Sequence, residues 1–139
     1  MEKGLLYYMN GNLQMGMLST RHMIEICEDE KMRASLLDDL HAYEKFENAI
    51  VNKAGKDDVI KPVTDMSARN TEMAIDMKTF MDNSPEKMAD MLAKGYEKGI
   101  RSIHRNLQNL TEEPEDIKEL ATGYLNFMKQ AHAKYKGYR

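Results

Sequence analysis

Apolar residues recur three and four positions apart along most of the chain, the period of a helix with one face turned to a core. From about Gly4 to Glu28 that face carries Leu6, Met9, Leu13, Gly16, Thr20, Met23 and Cys27. A second helix, about Glu30 to Ala54, carries Leu36, Leu40, Tyr43, Phe46 or Glu47, and Ile50. A third, about Val63 to Met81, is shorter and returns Met66, Met73, Met77 and Phe80. The fourth runs to about Leu110 with Met88, Leu92, Gly95 or Tyr96, Gly99, Ile103, Leu107 and Leu110 inward. The fifth, about Glu115 to Lys134, shows Ile117, Leu120, Ala121, Tyr124, Phe127 or Met128, Ala131 and Tyr135.

The polar positions between these stripes set the boundaries. Glu28-Asp29-Glu30 places acid at the positive end of a new helix. Gly55 closes the second helix, and Pro62 bars helix before it. Ser84 followed by Pro85 is a cap and a first-turn proline, and Thr111 to Pro114 repeats that logic. Short connections make the first two helices, and the last two, antiparallel neighbours. Residues 55–83 are long enough to run back along a bundle. The pattern therefore predicts an all-α four-helix bundle of two antiparallel hairpins, joined by a long crossover that contains a short helix. The whole chain, 1–139, reads as one domain.

Composition narrows the function classes. A net charge of −3 offers no basic face for nucleic acid. No apolar run approaches the roughly 18 residues that span a membrane. Leu5 to Met9 is too short for a secretion signal, so a cytoplasmic location is expected. Cys27 stands alone, which rules out a disulfide framework within the chain. Acidic Glu28 and Asp29 follow it and leave its thiol unactivated. Thirteen methionines mark a helical chain with adaptable core filler; six of them, Met66, Met73, Met77, Met81, Met88 and Met91, read as core or, on a sharper reading, as a pliable apolar surface for a partner helix or greasy ligand. Tyr7, Tyr8, Tyr135 and Tyr138 at the chain ends suggest an oligomer contact, because tyrosine is enriched at interfaces. The Gly95-x-x-x-Gly99 spacing predicts a close helix crossing.

The chain resembles a family of small, largely uncharacterised bacterial ferritin-like proteins. Met15-Gly16-Met17-Leu18-Ser19, Glu28 to Arg33, Tyr43-Glu44-Lys45, Met73 to Thr79 and Met88 to Gly95 carry the likeness. The resemblance implies a four-helix bundle, without an established enzyme activity and without iron storage.

The chemistry to weigh is Asp38-x-x-His41-x-x-Glu44 in the second helix. A ferritin-like two-metal site takes Glu from two helices and Glu-x-x-His from two others. The chain contains no Glu-x-x-His, and its fifth helix has Asn126 and Gln130 at mid-length. Gln14, His41, Glu44, Glu97 and Asn126 are the nearest remnant of such a site. They read first as a helix flank or polar network, and alternatively as a degenerate iron or manganese site. His22 with Glu25 lies about four turns away and reads as a surface pair. The leading expectation is a non-enzymatic structural or interaction protein that self-associates, with a helical protein as a further partner. It uses no cofactor, no catalytic residue, no nucleic acid and no membrane. Metal binding is the alternative, and an apolar-ligand carrier, which requires a cavity, is a third class.

Overall fold

The computed structural model describes residues 4–54 and 84–138. They form α1 (Leu5–Ile26), α2 (Glu30–Ala54), α3 (Pro85–Asn109) and α4 (Glu115–Lys136), with no strand among the described residues. The helix expected over 63–81, with Met66, Met73, Met77 and Met81, lies outside the described residues.

Each helix start has its own chemistry. The Asp29 carboxylate accepts the backbone N–H of Met32 at 2.8 Å and begins α2. The Ser84 hydroxyl accepts the N–H of Lys87 at 3.3 Å, with Pro85 in the first turn of α3. Gly4 leads α1 and has no side chain to cap with. Glu113, in the turn between α3 and α4, supplies the missing acceptor and takes the Leu5 N–H at 2.7 Å. A Cβ on Gly4 would come within 2.8 Å of that carboxylate, so the glycine makes room for its own cap. The start of α4 differs from the expectation. Pro114 itself occupies the cap position, and Thr111 stays exposed in the turn.

These contacts also fix direction. The start of α1 meets Glu113, and Lys53 near the end of α2 pairs with Asp116 at 2.7 Å. One end of the bundle therefore collects the start of α1, the end of α2 and the α3–α4 turn. At the other end the Tyr138 hydroxyl reaches Asp29 at 3.4 Å. Helices α1 and α4 point one way, and α2 and α3 the other. The closest pairings are the two hairpins, with α1 also packed on α3 and α4 touching both α1 and α2.

Leu13, Met17, Leu36, Ile50, Ile103 and Tyr124 are fully buried in the shared core. The buried positions of α2 are Met32, Leu36, Asp39, Tyr43 and Ile50, a four–three–four–seven series. Leu40 was expected in this seam, but it is half-buried and a carboxylate holds the position. No helix among the described residues is long and apolar enough to cross a membrane.

Candidate functional site

The residues expected to remain from a metal site are not brought together. Leu37, His41, Glu44 and Asn48 fall four, three and four apart on the outward face of α2, and all are exposed. Glu97 is exposed and lies 3.5 Å from Arg101, a surface pair four residues apart on one helix face. Asn126 is exposed on α4. Gln14 is half-buried and donates to Glu47 at 2.7 Å rather than to Glu44. Among the described residues, no three His, Cys, Asp or Glu side chains are grouped so as to hold a metal ion.

One residue along from Asp38, α2 turns a different carboxylate inward. Asp39 is 3% exposed. Its Oδ2 accepts the Tyr135 hydroxyl at 2.6 Å and the Tyr96 hydroxyl at 3.0 Å. Its Oδ1 accepts the Lys134 ammonium at 2.8 Å. Ser35 donates to the Tyr135 oxygen at 3.0 Å. The phenol protons of Tyr96 and Tyr135 thus both run toward one buried carboxylate. The aliphatic stem of Lys134 crosses the Tyr135 ring, with Nζ 4.7 Å from the centroid, and delivers its charge to Asp39.

A bare buried carboxylate would cost several kcal/mol, and charge-assisted hydrogen bonds return about 1.5–3 kcal/mol each. The two sums are comparable, so the network adds little net stability. Its effect is geometric, since it fixes the rings above it. Tyr43 and Tyr96 stack at 6.3 Å and Tyr96 and Tyr135 at 6.0 Å, both nearly parallel. Phe127 meets Tyr43 edge-on at 5.1 Å, and Phe46 meets Tyr124 edge-on at 5.3 Å. Burial pushes the Tyr43 and Tyr135 phenols far above the ordinary tyrosine value, and the Asp39 charge adds to both shifts. Burial raises Tyr96 and Tyr124 in the same way. Tyr135 was expected at an oligomer contact; at 2% exposure it belongs to the core.

On the opposite side of the bundle, between α1 and α3, the packing opens. A cleft of about 690 Å³ runs from Asn12 and Gly99 to Met23 and Met91. Asn12 ties its lower end together, donating to the Gly99 carbonyl at 3.2 Å and accepting the Tyr124 hydroxyl at 2.6 Å. Gly16 of α1 and Gly95 of α3 both line the cleft. The Tyr43 ring occupies the space a Gly16 side chain would fill, with its Cζ 2.6 Å from the Cβ position. Gly95 has nothing within 4 Å of its Cβ position. The close crossing expected from Gly95 and Gly99 therefore holds at Gly99, where a Cβ would meet Met128 Sδ at 2.9 Å, and fails at Gly95.

A second depression, about 660 Å³, lies between the end of α3 and the start of α4. His104, Leu107, Gln108, Glu115, Lys118 and Glu119 are among the residues that line it, and it lies wider open to solvent than the cleft. The α1–α3 cleft, with its aromatic floor and methionine walls, is the site with the features of a ligand pocket.

Sequence reasoning passed over Asp39, Lys134 and Asn12. The signal for Asp39 was present. Met32, Leu36, Asp39 and Tyr43 keep a strict heptad alternation that Leu40 breaks. No protein-family model, curated protein or solved structure matches the chain.

Proposed function

We propose that this protein is a non-enzymatic, ferritin-like helical bundle that acts by binding, and that the α1–α3 cleft holds a small, largely apolar molecule. The observation that carries this reading is the cleft of about 690 Å³, lined by Met15, Met23, Met91 and Met128 above the locked Tyr43–Tyr96 pair. Its volume is that of a pocket for a drug-sized ligand. Methionine walls adapt to varied apolar shapes, and the rigid floor gives them a fixed base. The ferritin-like connectivity is supported by the common direction of α2 and α3, since the end of one and the start of the other lie at opposite ends of the bundle.

The test uses N-phenyl-1-naphthylamine, a neutral apolar dye that brightens out of water. The wild-type chain binds it at one saturable site, and Gly95→Leu, whose side chain enters the open space, removes that site. Saturable binding unchanged in Gly95→Leu would place the ligand elsewhere and overturn the assignment.

Self-association is a second reading, favoured by the Tyr7 and Tyr8 rings. They are 48% and 40% exposed and meet edge-on at 5.4 Å. Sedimentation equilibrium then finds a dimer that Tyr7→Ser with Tyr8→Ser dissociates. A wild-type monomer at every concentration excludes it.

A further inference from the structure

We infer that the cleft selects a single-chain amphiphile with an anionic head group, a statement that rests on the binding function proposed above. The two ends of the cleft differ. Toward Met23 and Met91 the walls are mainly apolar. Toward Asn12 and Gly99 the α3 wall carries Lys98 and Arg101, with Lys94 one turn above. Every charged group lining the cleft comes from α3, three cations against the single carboxylate of Glu97.

Pairing reduces that excess without removing it. Lys94 lies 3.0 Å from Asp90, and Arg101 lies 3.5 Å from Glu97. Lys98 has no carboxylate partner among the described residues. A cation is thus left over at the solvent edge, beside the lower mouth of an apolar trough.

The floor adds a second constraint. The Tyr96 proton is given to Asp39, and Asn12 donates to the Gly99 carbonyl. Of the other donors lining the cleft, the Ser19 and Thr20 hydroxyls are neutral, and the charged one without a carboxylate partner among the described residues is the Lys98 ammonium. A head group that only accepts hydrogen bonds and carries negative charge matches that rim. Between Asn12 and Met23 the cleft follows about 16 Å of helix, the reach of a medium-length alkyl chain. The head lies at Lys98, and the tail runs over Tyr96 and past Gly95 toward Met23 and Met91.

Dodecanoate, dodecanol and dodecyltrimethylammonium, each kept monomeric, compete with N-phenyl-1-naphthylamine for the site. Dodecanoate displaces the dye about 5-fold more tightly than dodecanol, the preference an ion pair at the solvent edge supports, and dodecyltrimethylammonium is weakest. Salt shrinks the dodecanoate preference and leaves dodecanol unchanged. Lys98→Glu brings dodecanoate to or below dodecanol, read as the ratio of their two displacement constants within that variant. Equal displacement by dodecanoate and dodecanol, or a preference that survives Lys98→Glu, overturns the head-group assignment and leaves the cleft standing. Loss of dye binding in the wild type overturns both.

Discussion

The two sides of this bundle solve the same packing problem in opposite ways. Where α2 meets α4, a carboxylate is buried and every partner it needs is supplied: Tyr96, Tyr135 and Lys134. Where α1 meets α3, Gly16 and Gly95 line a seam that stays open. The closed side holds three rings in fixed positions. The open side uses two of them, Tyr43 and Tyr96, as its floor. Polar burial on one face therefore shapes an apolar opening on the other, and each side can be disturbed separately.

The largest effect comes from alkali. Four phenols, Tyr43, Tyr96, Tyr124 and Tyr135, have folded values raised above the ordinary tyrosine value. A group raised in this way contributes stability that is complete below the unfolded value near pH 10 and is lost as pH rises toward the folded one. Above pH 10 the unfolded chain sheds protons that the folded chain keeps, so stability falls by about 1.4 kcal/mol per pH unit for each phenol. Helical circular dichroism and phenolate absorbance then change together, in one steep transition. Phenolate growth that runs to completion while helicity persists contradicts the closed core.

Removing the carboxylate comes next. Asp39→Ala leaves two hydroxyls and an ammonium without their acceptor and costs about 3–5 kcal/mol in urea unfolding. A loss under 1 kcal/mol means that the rings hold themselves. Gly16→Ala puts a Cβ into the Tyr43 ring and costs about 1–3 kcal/mol as the ring is displaced. It also weakens dye binding, because that ring is the floor; an unchanged affinity uncouples the two sides. Smallest is Glu113→Ala, which removes the cap of α1 and costs about 1 kcal/mol, with the cleft unaffected.

The sequence made the two sides unequally legible. Ser84-Pro85 and Glu28 to Glu30 located helix starts, because capping is local chemistry written in adjacent residues. The helix over 30–54 was read to its bounds for the same reason. Asp39 was missed because an aspartate in an apolar stripe counts against burial unless its partners are known. Those partners lie 57, 95 and 96 positions away in the chain. His41 and Glu44 have the more chemical spacing, but their face is outward. The cleft was equally hidden. Glycine spacing on α3 suggested contact at both positions, and only the packed structure shows that Gly99 meets Met128 while Gly95 meets no side chain.

The central claim is that the α1–α3 cleft is a binding site and not a packing defect. Thermal unfolding of the wild type and Gly95→Leu, each with and without N-phenyl-1-naphthylamine, tests it most directly. Leucine in place of a mid-helix glycine stabilises the free protein by up to about 1 kcal/mol. A ligand at 100 times its Kd adds about 2.7 kcal/mol to a protein that binds it only when folded. The account predicts that the dye raises the wild-type transition and leaves Gly95→Leu, already more stable, where it was. An equal rise in both would contradict it.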